Sequence, residues 1–183
     1  MINCIIIIYI LLINRIYILL IIINYNYTIN YMKKKIWGTA VWYFFHTLAY
    51  KLKNEYEDQL TQLFDLFVLV CNNLPCTICK LESTTMLKTV NKLDVTISKE
   101  RFQSFLFNMH NAINCKNKTT IFTREEYLIK YSNAKTYNII NYFFGIMKNT
   151  GMKQENIIIR RSINSYLDII YKYIKQNINK YDK

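Results

Sequence analysis

The sequence predicts an all-α protein, and two observations carry that reading. Three Gly and one Pro leave too few tight-turn positions for a many-stranded sheet. Apolar residues recur instead at the i, i+3, i+4 spacing of buried helix faces. The helical stretches are joined by short connections, which points to a compact bundle. A chain of 183 residues carries one domain of ordinary size with extensions.

Residues 1–31 are extremely apolar, with Ile5–Ile13 and Ile16–Ile23 interrupted only by Asn14 and Arg15. A charge near mid-span costs about 2.5–3.5 kcal/mol, whereas each Ile or Leu returns about 0.3–0.6 kcal/mol, so the run can outweigh Arg15. Two readings stand: a membrane anchor through residues 4–23, or an A/T-rich stretch upstream of a start at Met32. The segment has neither a basic start nor a small-residue cleavage site, which argues against a removable signal peptide. As an anchor it would hold the following domain on the cytosolic side, because Lys33, Lys34 and Lys35 come directly after it.

From Trp37 to about Lys53 the chain reads as a first helix. A second places Leu60, Leu63, Phe64, Phe67, Val68 and Cys71 on one face. Asn72, Asn73 and Pro75 end it, and Pro75 is suited to the start of the next helix, which carries Cys76 and Cys79. A fourth helix, from about Ser98 to Asn114, buries Phe102, Phe105, Leu106, Met109 and Ile113 on a single stripe. Beyond Phe122, Gly151 is expected to separate two helical stretches. The second repeats Ile163, Tyr166, Leu167, Ile170, Ile174 and Ile178 at helical spacing, so it is expected to pack on something. No catalytic motif is visible there. The chain thus divides into an apolar segment (1–31), a motif-bearing domain (32–123) and a basic helical extension (124–183).

The formal net charge of +12 would ordinarily suggest an anionic partner. Lys, Asn, Ile and Tyr are over-used together, however, and these are the residues of A/T-rich codons. No compact Arg/Lys run or RNA-binding aromatic motif accompanies them, and a nucleic-acid partner is not expected. Five cysteines, at positions 4, 71, 76, 79 and 115, are odd in number and include one closely spaced pair. That is no secreted disulfide framework and points to redox or metal chemistry. Taken alone, Cys76-Thr77-Ile78-Cys79 is open to three readings: half a zinc site, a thioredoxin-like redox pair, or coincidence. Zinc would want a second such pair or a His pair nearby, and His46 and His110 stand alone in sequence, so no metal is expected. A thioredoxin-like domain would want a strand before the motif, where the periodicity is helical. Cys71, on the apolar stripe, reads as a small buried hydrophobe. Cys115 has no assigned role.

Trp42 and His46, four residues apart, project from one helix face and make a flat apolar wall with a polar tip. A core Trp beside a satisfied buried His would look the same. His110, Asn111 and Asn114 form a polar arc beside the apolar stripe of the fourth helix, able to hold a cofactor or simply to face solvent.

Together the motifs W-G-x-x-x-W-x-x-x-H-T-L-A from Trp37, P-C-x-x-C from Pro75 and F-x-x-F-L-x-x-x-H-N-x-x-N from Phe102 resemble the Erv/Alr sulfhydryl oxidases over residues 37–122. The short form is similar to the versions carried by large cytoplasmic DNA viruses, poxviruses in particular. The resemblance implies a four-helix bundle with a short fifth helix, FAD held non-covalently in the bundle mouth, and a homodimer. It implies that Gly38 is a cofactor-binding residue, that Trp42 and His46 line the adenine end of FAD, that His110, Asn111 and Asn114 contact its adenosine and ribose, and that Phe122 fills an aromatic position. The family's usual Lys falls at Thr119, which makes neighbouring Lys118 the candidate phosphate contact. It further implies that Cys79 lies against the flavin while Cys76 exchanges with substrate. The implied activity is oxidation of thiols by dioxygen to disulfide and hydrogen peroxide. With no second close Cys pair, electrons are expected from a separate thioredoxin-like or C-x-x-C protein; for a viral member the place of work is the host cytoplasm and the virion. The rival class is a non-enzymatic, membrane-tethered helical interaction protein that keeps the scaffold, and a bound yellow chromophore separates the two.

Overall fold

The structure, a computed structural model, describes residues 2–183, with side chains at residues 15–22 and 34–183. Its elements are α1 (Ile2–Lys51), α2 (Leu60–Cys71), α3 (Thr77–Leu87), α4 (Lys92–Val95), α5 (Lys99–Lys116), α6 (Arg124–Ser132), α7 (Thr136–Met152) and α8 (Ile157–Asn177), with 3-10 turns at Asn54–Gln59 and Ile178–Lys180. Among the described residues no strand forms; Leu52 and Tyr181 make one isolated antiparallel bridge. The class is all-α, as the glycine and proline counts and the helical periodicity predict.

The chain divides into two units, residues 1–36 and 37–183. The anchor expected at residues 4–23 falls largely outside the residues whose side chains are described. Among the described residues no helix is long and apolar enough to cross a membrane.

In the second unit the core is built from the faces the periodicity marks. Phe44, Phe45, Leu48 and Leu52 at the end of α1, and Leu60, Leu63 and Phe67 at α2, are almost wholly buried. Each such side chain contributes about 1.5–3 kcal/mol on leaving water. Helix α2 also buries Leu66 and Val70, while Thr61, Gln62 and Asp65 stay exposed on its opposite face. In α5, Phe102, Leu106 and Met109 are buried while Phe105 and Ile113 pack at the edge of the cluster.

Local capping sets the ends of these helices. Ser98 caps α5, its side chain accepting from the Arg101 N–H, and Thr123 with Glu126 forms a reciprocal capping box that starts α6. Pro75 does not open α3, because Cys76 is the N-cap and its sulfur accepts from the Cys79 N–H at 3.2 Å. Pro75 therefore stiffens the chain just before the cap.

The break expected at Gly151 lies instead between Met152 and Ile157. Gly151 stays helical and buried in α7, where a Cβ would stand 3.1 Å from Ile163 Cγ2. Its small size thus permits close crossing of α7 and α8, while Asn156, whose Oδ1 accepts from the Ile158 and Ile159 N–H groups, starts α8. Phe143 stacks on Phe44 with centroids 4.1 Å apart. Ile163, Tyr166, Ile170 and Ile174 belong to the same cluster as Trp37, Phe44 and Leu63. The end of the chain is tied down by backbone bonds from Lys53 N to Lys180 O and from Asp182 N to Lys51 O. Residues 136–181 therefore share the core of the motif-bearing helices.

Candidate functional site

Cys76 and Cys79 are joined in a disulfide with their Cα atoms 5.2 Å apart. Their environments differ. Cys76, at the N-cap, is half-buried, whereas Cys79, one turn into α3, turns into the core and is 8 % exposed. Thr77 and Ile78 between them face solvent. In the reduced pair, a thiolate at Cys76 would keep the N–H of Cys79 and the positive end of an 11-residue helix. No acidic residue in the first turn of α3 opposes that charge.

The other thiols are placed differently. Cys71 is buried, and burial pushes its thiol up to about 12, so near neutral pH it is a protonated, unreactive core atom. This agrees with its reading as a small hydrophobe. Cys115 is free and exposed. Cys4 lies outside the residues whose side chains are described.

The aromatic wall is made where α1 meets α5. Trp42 stacks on His110 with centroids 4.2 Å apart and planes 7° apart, and on His46 at 5.5 Å. His46 Nε2 and His110 Nδ1 lie 3.1 Å apart, one ring donating its proton to the other. Burial is the main reason both imidazoles stay neutral: it holds His110 down to about 4 and His46 well below its ordinary value, and the charge of Lys130 acts in the same sense on both. His46 Nδ1 is buried without a hydrogen-bond partner, a cost of about 1–3 kcal/mol that a bound ligand would relieve. One turn before Trp42, Gly38 has nothing within 4 Å of the place a Cβ would occupy. Gly38 thus borders open space on the helix face that carries Trp42.

The remaining predicted residues hold the loop that follows α5. Asn111 grips Phe122 from both sides, Nδ2 donating to its carbonyl and Oδ1 accepting from its N–H, each at 2.9 Å. Asn114 Nδ2 donates to Thr120 O at 3.1 Å, and the Asn114 carbonyl accepts from the backbone and hydroxyl of Thr119. Both amides are therefore engaged with the 119–122 loop, and through it they set Phe122 with its centroid 6.0 Å from that of His110. Lys118 is exposed at the start of this loop with φ 54°.

Three site residues lie on α6, beyond the motifs that the sequence singles out. Tyr131 and Tyr127 pack on His46 with centroids 4.9 and 5.3 Å away. Lys130 Nζ lies 3.9 Å from the centroid of Tyr43 and 4.8 Å from that of Phe122. The capping box at Thr123 and Glu126, followed by Tyr127 and Tyr131 one turn apart, is the signal that would have announced a helix facing the site.

A flat heteroaromatic ligand fits this arrangement. It would meet the Trp42–His110 stack, the open face at Gly38 and the unpartnered Nδ1 of His46, with a cation beside them. Residues 39–132, which include α6, match the model of the Erv1 / Alr family. No curated protein and no solved structure matches the chain.

Proposed function

Because the chain belongs to the Erv1/Alr family, whose members are FAD-linked sulfhydryl oxidases, we propose that it oxidises substrate thiols to disulfides through Cys76 and Cys79. The observation that carries this reading is the split within one disulfide: a half-exposed sulfur at a helix N-cap joined to a buried one.

A substrate thiolate attacks Cys76 Sγ, the Cys76–Cys79 bond breaks, and Cys79 leaves with the electron pair. A second substrate thiolate attacks the substrate sulfur of the mixed disulfide, releasing Cys76 as a thiolate. The substrate has then lost two electrons to the Cys76–Cys79 pair, and its two thiol protons have passed to that pair or to solvent. Cys76 is the sulfur that substrate reaches, and the Cys79 N–H together with the end of α3 steadies the charge that collects on it. FAD, when bound, accepts the two electrons and delivers them to dioxygen as hydrogen peroxide. Gly38, Trp42, His46 and His110 would form the wall against which the cofactor lies, while Asn111 and Asn114 position Phe122 beside it.

The finer reading rests on the resemblance to the short poxvirus type. In it the oxidase works as a homodimer on the cytosolic side, in host cytoplasm and virion, fed by a thioredoxin-like or C-x-x-C protein. Cytosolic thiols are otherwise kept reduced, so such an enzyme makes sense where a virus must oxidise its own proteins during assembly. Purified protein supplied with dithiothreitol is expected to consume oxygen and release about one hydrogen peroxide per disulfide formed. Folded protein that takes up no oxygen even with added FAD would refute the activity.

A further inference from the structure

Helix α8 reaches the loop that carries the working disulfide. Ser162 Oγ donates to Asn73 Oδ1, while Asn73 Nδ2 donates to Leu69 O at 2.7 Å and so closes the end of α2. Asn73 stands three residues before Cys76. From the other side, Ser83 of α3 donates to Cys71 O at 3.4 Å. The chain leading into Cys76 is therefore held between α3 and α8, and α8 lies beyond residues 39–132, the stretch that matches the family.

The surface beside this loop is apolar. Ile78 is 70 %, Leu81 67 % and Ile158 74 % exposed. Single exposed apolar residues are ordinary, but these border the exchanging sulfur. Ile78 lies between the two cysteines, and Ile158, one turn before Ser162, shares its helix face. Three residues of chain reach at most about 10 Å and one helical turn rises about 5.4 Å. A bound segment of about six to eight extended residues, with its thiol at Cys76, is thus long enough to reach Ile158.

The same surface is basic. Lys80, Lys153 and Arg161 are exposed, against the exposed Glu155 in the turn before α8; Glu82 is paired with Lys116. Arg160 and Arg161 sit near the positive end of the α8 dipole, where cations are disfavoured. No acidic residue in the first turn of α3 or α8 offsets them. Arg160 is spent on Gln154 O, but among the described residues Arg161 has no ion-pair partner. An anionic group on a docked partner would supply one.

An apolar, basic surface continuous with the exchanging sulfur fits a protein segment of complementary chemistry, whereas a small thiol at Cys76 is too short to touch α8. We propose that Ile158 and Arg161 of α8, with Ile78 and Leu81 of α3, dock a thiol-bearing protein segment that carries apolar and acidic residues beside its cysteines; this rests on the oxidase reading above. Helix α8 then selects protein substrates, while the thiol exchange stays with Cys76 and Cys79.

The test measures oxygen uptake by the full-length protein supplied with FAD. The donors are dithiothreitol and short reduced peptides that share one C-x-x-C and differ in their flanks: Leu with Glu, Ser with Glu, or Leu with Lys. In wild type kcat/KM should be about tenfold higher for the Leu/Glu peptide than for either other, a difference of about 1.4 kcal/mol. Ile158→Ser and Arg161→Glu should each lower the ratio of kcat/KM for that peptide to kcat/KM for dithiothreitol by about 5- to 10-fold, chiefly through KM. Arg161→Glu should also shift the preference toward the Leu/Lys peptide. Thermal melts of both variants should match wild type, since both residues are exposed. Should a variant fold poorly, wild type decides alone, through the peptide ranking and a KM for the Leu/Glu peptide that must rise with salt. Equal kcat/KM for the peptides in wild type, or an unchanged ratio in folded variants, overturns the proposal and leaves the oxidase reading in place. Variants that alter the sedimenting oligomer without altering the ratio would mark an interface between copies of this chain and overturn it equally. Wild type that oxidises neither dithiothreitol nor any peptide brings down both.

Discussion

Cys76→Ser and Cys79→Ser should each reduce oxygen uptake with dithiothreitol to the uncatalysed background, while both variants remain folded. Without Cys76 no half-exposed sulfur faces substrate, since Cys79 is turned into the core. Without Cys79, Cys76 carries no disulfide bond for a substrate thiolate to break, so no mixed disulfide forms and the electron pair has no route inward. Cys71→Ser should change turnover by less than about twofold, because a thiol that burial keeps protonated takes no part in exchange. Steady-state oxygen consumption with far-UV circular dichroism checks all three. A folded Cys71→Ser as inactive as Cys79→Ser would mean that the working disulfide is wrongly assigned.

The second large effect falls outside the motif-bearing stretch. Truncation after Ser132, where the family match ends, removes Phe143, Met147, Ile163, Tyr166 and Ile170 from the core. It leaves Phe44 without the ring stacked on it. A single Phe143→Ala change should cost about 3–5 kcal/mol, a large part of the roughly 5–15 kcal/mol that stabilises a domain of this kind. The truncated chain is therefore expected not to fold cooperatively. Urea unfolding followed by circular dichroism would show a lowered midpoint for Phe143→Ala and no transition for the truncation. A truncated protein that unfolds at the wild-type midpoint would show that α7 and α8 are dispensable to the core.

Much of this was legible in the sequence where the signal is periodic or local. The buried faces of α2 and α5 and the Cys76–Cys79 spacing each depend on residues within one or two turns. The Trp42–His46 wall was legible for the same reason. Gly151 misled because a glycine is ordinarily a break, and only the approach of Ile163, twelve residues further on, explains its presence within α7. The family resemblance implies that Asn111 and Asn114 contact the ligand, and the structure adds that their amides hold loop atoms at Phe122 and Thr120. Such pairings arise from how a loop folds back, which no spacing rule encodes. Lys130 was invisible for a related reason: its neighbours Tyr43 and Phe122 come from α1 and the post-α5 loop. One lysine among the 24 Lys and Arg of a basic chain carries no mark of its own.

Absorbance of the purified full-length protein across the flavin bands, before and after anaerobic dithiothreitol, tests most directly whether this bundle is a flavin-linked thiol oxidase. About one FAD per chain, bleached by dithiothreitol in wild type but not in Cys79→Ser, is the result expected if electrons pass through the Cys76–Cys79 pair. Folded, colourless protein that cannot be reconstituted with FAD, or a bound flavin that dithiothreitol bleaches equally well without Cys79, would contradict it.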